Sequence, residues 1–173
     1  MVDSPEQDED VEQHRRHAIE CNNSAWELAA QPEITAEEKD LLLNLAHCAA
    51  HHWSKVGTPL NVARADMLLA RAHAIAGNGT LALRYAERSH DFLASQESPD
   101  WEMAFSHAML AHAHHAAGQV PEHAQLYAQA QALGKAIADP EDRKVFLATF
   151  DIIPKPETEA RGETSAGPLE HGR

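Results

Sequence analysis

The sequence predicts an all-α fold of about seven helices, arranged as stacked antiparallel hairpins. The first reason is a repeat: residues 69–77 and 110–118 share the pattern L-A-x-A-H-x-x-A-G, 41 residues apart. The second is that capping residues, early prolines and terminal glycines recur between the apolar segments, and these residues mark helix ends. The third is that the sequence contains no alternating β-branched run bounded by hairpin turns, the pattern of a strand.

Taken in order, the helices are predicted over residues 8–30, 35–56, 59–76, 80–94, 99–117 and 121–138, followed by a short seventh that begins at 139–140. The second helix opens with a capping box, in which Thr35 and Glu38 satisfy free backbone groups at the helix start. A hydroxyl residue followed by proline predicts a helix start. Thr58-Pro59 marks the start of the third helix and Ser98-Pro99 that of the fifth. The seventh helix is expected to cover the open end of the array, because the last repeat has no neighbour.

Composition divides the chain into three parts. Residues 1–7 are acidic and are predicted to be disordered, and residues 8–153 are predicted to form a single helical domain. Residues 154–173 are rich in proline, glutamate, threonine, glycine and serine. Such a segment buries too little apolar surface to offset the entropy lost on ordering, so we expect a disordered tail.

The charge of the chain excludes several classes of function. Lys and Arg number 14 against 27 Asp and Glu, a formal net charge of −13. This excess of acid argues against nucleic acid and anionic membrane surfaces as partners, because both attract basic patches. No signal peptide opens the sequence, and no apolar run is long enough to span a membrane. Two cysteines, Cys21 and Cys48, are too few for a secreted disulfide framework, so we expect a cytoplasmic protein.

The first repeat resembles a tetratricopeptide repeat. That family places a small residue midway along its first helix, a glycine at the turn and an alanine five residues later, and Ala70, Gly77 and Ala82 match these positions. In the second copy Ala111 and Gly118 match, while the following alanine comes one residue late. The period of 41 is longer than the family's 34, which implies longer helices. The predicted fold is therefore tetratricopeptide-like (TPR-like).

This resemblance implies a non-catalytic scaffold that binds a protein or peptide partner in a groove lined by its first helices. The positions that correspond to such a groove are Asp66, Arg71, His73, His107, His112 and His114. Self-association through the groove, giving a homodimer, is a further possibility.

Four further segments resemble a group of small, stand-alone bacterial proteins. They are residues 23–28, 46–53, 55–60 and 137–143, with the sequences N-S-A-W-E-L, A-H-C-A-A-H-H-W, K-V-G-T-P-L and I-A-D-P-E-D-R. This resemblance implies the same helical architecture over residues 21–153 and no particular chemistry.

Histidine is the unusual feature of the composition, with 13 residues in 173. His47 and His51 lie four residues apart on the predicted second helix, a spacing that lets two imidazoles reach one metal ion. With a third histidine from another helix, they would hold zinc or another divalent transition metal. The other interpretation is a solvated polar face, since both lie opposite the apolar side of that helix. A metal-binding or metal-dependent protein is therefore the alternative function.

The two motif histidines, His73 and His114, occupy equivalent positions of the repeat, which favours a shared structural role over chemistry. The sequence contains no H-E-x-x-H, G-x-S-x-G, Walker or G-x-G-x-x-G motif, so nothing in it predicts an enzyme. Function is expected where the two copies differ, at Asp66 against His107, Arg71 against His112 and Ala74 against His115.

Overall fold

The computed structural model describes residues 5–157, with side chains from Asp8 onward. This part of the chain is all-α, as predicted, and contains no strand. Its helices are α1 (Pro5–Ala29), α2 (Ala36–Val56), α3 (Pro59–Ile75), α4 (Gly79–Ala94), α5 (Asp100–Ala116), α6 (Val120–Ala136) and α7 (Pro140–Phe150). No helix within that range combines the length and apolar character needed to cross a membrane. The disorder predicted for residues 1–4 and 158–173 falls outside the described residues. Of the other residues predicted to be disordered, 5–7 belong to α1 and 154–157 are described without helix or strand.

Most helix boundaries follow the predicted signals. Thr35 accepts a hydrogen bond from the Glu38 amide, and the Glu38 carboxylate accepts one from the Thr35 amide, which confirms the capping box. Thr58 caps α3 in the same way. The prediction that Ser98 caps α5 is wrong, because its hydroxyl donates to the Leu93 carbonyl at 2.8 Å. The hydroxyl thus binds a carbonyl at the end of α4, which also accepts from the Gln96 amide, instead of an amide at the start of α5.

Both copies of the repeat end in the same left-handed glycine turn. Gly77 has a φ of 77° and Gly118 a φ of 72°, values that residues with a Cβ rarely adopt. The amide after each glycine donates to the carbonyl of the motif histidine, at 2.8 Å from Asn78 and 2.9 Å from Gln119. The repeat in the sequence is therefore a repeat in the structure.

Each helix packs against the next, and successive odd-numbered helices also pack against one another. α3 contacts α1, α2, α4 and α5, and α5 contacts α3, α4, α6 and α7. Residues 65–74 of α3 are all buried as a result. Alanines such as Ala70 and Ala111 are completely buried at these contacts, and small side chains let helix axes approach closely.

The core consists of two clusters that share the middle of the array. One lies among α1, α2 and α3, and the other extends from α3 to α7. Trp26 of α1 packs against both, and its ring meets Phe105 of α5 edge-on with 6.4 Å between centroids. Phe146 and Phe150 of α7 are buried against the second cluster, so α7 covers this end of the array, as predicted.

The turn between α3 and α4 lies directly against the end of α5. A Cβ added at Gly79 would stand 2.5 Å from the Cα of Ala117 and 2.6 Å from the carbonyl oxygen of Ala116. Both are backbone atoms, so no side-chain rotation can relieve the contact. The α3–α4 turn can approach the end of α5 this closely only because residue 79 is glycine.

We expect Gly79→Ala to lower the free energy of unfolding by about 2–3 kcal/mol, because the added methyl group forces the two hairpins apart. In a chain of this size, that corresponds to a fall of roughly 5–10 °C in the melting temperature measured by circular dichroism. Thr80→Ala changes the exposed next position of the same helix and is the matched control, with an expected shift of less than about 2 °C. An unchanged melting temperature for Gly79→Ala would contradict the close contact.

Candidate functional site

A pocket of about 450 Å³ lies where the α1–α2 loop, α3, α5 and the segment after α7 meet. We refer to it as the Arg71 pocket. It is lined by loop residues 31–34, Lys39 of α2, Arg71 and Ile75 of α3, His112 of α5, and Ile152 and Pro154 after α7. A larger depression of about 630 Å³ between α4 and the end of α5 is more open, and its charged residues, Arg84 and Glu87, are both exposed.

Arg71 sets the smaller pocket apart. The residue is only 2% exposed. Its Nη1 lies 3.0 Å from Nδ1 of His112, and its Nη2 donates to the Ala29 carbonyl oxygen at 3.2 Å. The Nε–H is buried and has no hydrogen-bond partner among residues 8–157. No carboxylate of these residues forms an ion pair with the guanidinium.

The charge of Arg71 is therefore poorly compensated. Burial lowers its pKa to about 10, so the guanidinium still carries its proton at neutral pH. Buried charges are costly and are normally paired with an opposite charge. The chain provides such pairs elsewhere, since Arg88 holds Asp66 and Arg64 holds Glu102. Arg71 has only the carboxyl end of α1, whose partial negative charge is about half of one unit.

His112 is arranged as a neutral hydrogen-bond donor. Because an arginine can only donate, Nδ1 of His112 accepts from Arg71 and the ring proton is assigned to Nε2. Burial and then the nearby Arg71 charge hold the pKa of His112 well below its ordinary value. The ring is therefore neutral at pH 7 and adds an N–H donor to the wall of the pocket.

These groups suit an anionic ligand, above all a carboxylate. A guanidinium can bind the two oxygens of a carboxylate through two adjacent N–H groups, and the Nε–H of Arg71 has no partner among residues 8–157. Lys39 and Glu33 add opposite charges to the wall, and Ile75 and Ile152 add apolar surface. These features make the Arg71 pocket the candidate binding site.

The structure brings together two of the six positions predicted to line a groove, Arg71 and His112. Asp66 is buried in its ion pair and does not reach the pocket. His107 is half-buried, and its Nδ1 donates to the carbonyl oxygen of Met103 on the same helix at 2.9 Å. That all six positions contact a partner stays a prediction.

The other two positions are the motif histidines, which share a local role at the glycine turns. The side-chain amide of Asn78 donates to Nδ1 of His73 over 3.4 Å, and Nδ1 of His114 donates to the amide oxygen of Gln119 over 2.5 Å. Each histidine thus bonds the residue that follows its own glycine. His73 is also stacked on Tyr85, with 5.5 Å between ring centroids. These contacts support the structural role predicted from the repeat.

The two histidines proposed as metal ligands face different neighbours. Nε2 of His47 lies 3.2 Å from Nε2 of His73. His51 instead faces His14 and His52, with ring centroids 6.3 Å and 5.2 Å away. Within residues 8–157, no three His, Cys, Asp or Glu side chains form a group that could hold a metal ion. Both His47 and His51 are exposed, which fits a solvated polar face.

Sequence reasoning missed most of the pocket wall. Loop residues 31–34, Lys39 and Ile152 carry no motif, and only the packing of distant segments brings them together. The one sequence feature that pointed to the pocket is the difference between the two repeat copies at positions 71 and 112. Arg71 and His112 are equivalent positions, and equivalent positions on adjacent helices of a repeat array become neighbours.

We expect the protein to lose stability as the pH falls below about 6.5. The pKa values of four histidines are lowered, and burial is the largest cause in each case: His112, His73, His90 and His115. The unfolded chain therefore binds protons that the folded chain does not, and acid favours unfolding. Urea unfolding at pH 7.5, 6.5 and 5.5 measures the effect. His112→Asn keeps an acceptor for the guanidinium but cannot titrate, so its slope should be smaller by up to about 1.4 kcal/mol per pH unit. Identical slopes would contradict the burial of a neutral His112.

Comparisons with protein-family models, curated proteins and solved structures find no match for this chain. The structure shows seven packed helices, and the resemblance to tetratricopeptide repeats stays a prediction.

Proposed function

We propose that this chain is a non-catalytic, TPR-like scaffold that binds a protein or peptide partner through a carboxylate placed in the Arg71 pocket. The observation that carries the proposal is the buried Arg71 guanidinium, which has a free Nε–H and no carboxylate partner within residues 8–157. A ligand that supplies two anionic oxygens would complete its hydrogen bonds and compensate its charge. The contacts between successive odd-numbered helices support the scaffold part of the proposal.

The chain itself shows how such a carboxylate can be held. Arg88 binds Asp66 through both Nε and Nη2, with 2.5 Å between Nε and the nearer oxygen. Arg71 offers the same two nitrogens, since Nη2 uses only one of its hydrogens on the Ala29 carbonyl. Each charge-assisted hydrogen bond contributes about 1.5–3 kcal/mol, so one carboxylate alone gives affinity on the order of millimolar. Tighter binding needs further contacts from the partner.

The charge of the chain narrows the kind of partner. A net charge of −13 repels strongly acidic molecules at a distance. The recognised carboxylate therefore belongs to a partner that is otherwise neutral or basic, as a single Glu or Asp side chain or a chain terminus. A pocket of about 450 Å³ has room for such a group, and Ile75 and Ile152 can contact its apolar stem.

Two matched peptides test the proposal. The probe is Lys-Ala-Glu-Ala-Lys, acetylated and amidated at its ends, and the control is the same peptide with glutamine in place of glutamate. We expect the glutamate peptide to bind at least about tenfold more tightly, because an amide cannot neutralise the guanidinium. NMR titration should show the largest shift at the Arg71 Nε–H resonance. Lys39→Ala, at the wall, should weaken binding by less than about threefold.

Two variants then separate binding from folding. Arg71→Met removes the charge and should abolish binding of the glutamate peptide. If this variant does not fold, Ile75→Trp keeps the guanidinium and fills the pocket, with the same expected loss. A folded Arg71→Met that binds the peptide as well as the wild type would refute the proposal, as would equal binding of the two peptides. A concentration-dependent dimer that Arg71→Met abolishes would identify a second copy of the chain as the partner.

A further inference from the structure

Cys21 of α1 and Cys48 of α2 lie side by side, although they are far apart in the sequence. Their sulfur atoms are 2.7 Å apart, and the S–H of Cys21 is directed at Cys48. Both are free thiols, and both are only partly buried. A small reagent in solution can therefore reach the pair.

Small neighbours on both helices bring the two thiols together. Ala18 and Ala25 lie about one turn before and after Cys21 on α1, and both are completely buried. Ala49, next to Cys48 on α2, is also completely buried. Alanine at these positions lets the two backbones approach closely. This closeness matters because a disulfide requires Cα atoms within about 7 Å of each other.

We propose that Cys21 and Cys48 form a reversible disulfide, which locks α1 to α2, by exchange with a low-molecular-weight disulfide. The Cys48 thiolate attacks one sulfur of the small disulfide, and the other half leaves as a thiolate. The Cys21 sulfur, after losing its proton, attacks Sγ of Cys48 and expels the second half. Two electrons pass from the cysteine pair to the small disulfide, which becomes two thiols on taking up the two protons.

The surroundings of the pair favour this order of attack. Burial and then the hydrogen bond to Cys48 raise the pKa of Cys21 to about 12, so Cys21 keeps its proton at neutral pH. Cys48, which receives that S–H, is left as the attacking sulfur. Once Cys48 is in the mixed disulfide, the hydrogen bond that helps to hold the Cys21 proton is lost. Cys21 then acts as the resolving thiol.

Glutathione disulfide, added to the native protein at pH 7.5, is the probe for this reaction. We expect the intact mass to fall by about 2 Da, the two hydrogens lost, with the protein still monomeric. Peptide mapping after alkylation should show Cys21 linked to Cys48. The melting temperature should rise by about 5–10 °C, because the new bond restricts the unfolded chain. Dithiothreitol should reverse the change in mass and the rise in melting temperature.

Single serine variants test the role of each sulfur. Cys21→Ser should stop at the glutathione adduct on Cys48, because it has no resolving thiol. Cys48→Ser should stay unmodified over the same time, and circular dichroism confirms that both variants are folded. Two free thiols in the wild type after prolonged exposure, or covalent dimers alone, would overturn the proposal. Equal modification of the two variants would overturn the assigned order of attack.

Discussion

Close packing of alanine-lined helices is the constraint on which the rest of this structure depends. α3 and α5 each contact four other helices, and alanines such as Ala70 and Ala111 are completely buried between them. Backbones come so near that a single methyl group at Gly79 would collide with main-chain atoms of α5. The polar side chains buried in α3 and α5, such as Asp66 and Glu102, therefore need partners inside the protein.

The buried charged residues of α3 and α5 differ in whether they have a partner of opposite charge. Asp66 and Glu102 each face an arginine from another helix, so their charges are balanced within the fold. Arg71 is enclosed as completely, but no carboxylate of residues 8–157 reaches it. An uncompensated charge of this kind lowers stability. A partner molecule that supplies the missing anion would account for the buried Arg71 charge, because perturbed buried groups are common at functional sites.

The sequence predicts those features that depend on residues close together in the chain. The capping box at Thr35 and the glycine turn at Gly77 are set by neighbours within about one helical turn, so local patterns find them. Ser98 shows the limit, because its hydroxyl has two possible uses and packing decides between them. The contact between Cys21 and Cys48 depends on how two helices are aligned along each other, and local patterns do not encode that alignment. The candidate site was only half predicted for the same reason.

Arg71 and His112 occupy the same position in the two copies of the repeat, and they touch across the α3–α5 interface. Two arginines at these positions would repel each other, and two neutral histidines would supply no cation. Identical copies therefore cannot build this pocket. It exists because the copies have diverged, and it belongs to one junction of the array. Duplicating a hairpin would lengthen the array without creating a second pocket of this kind.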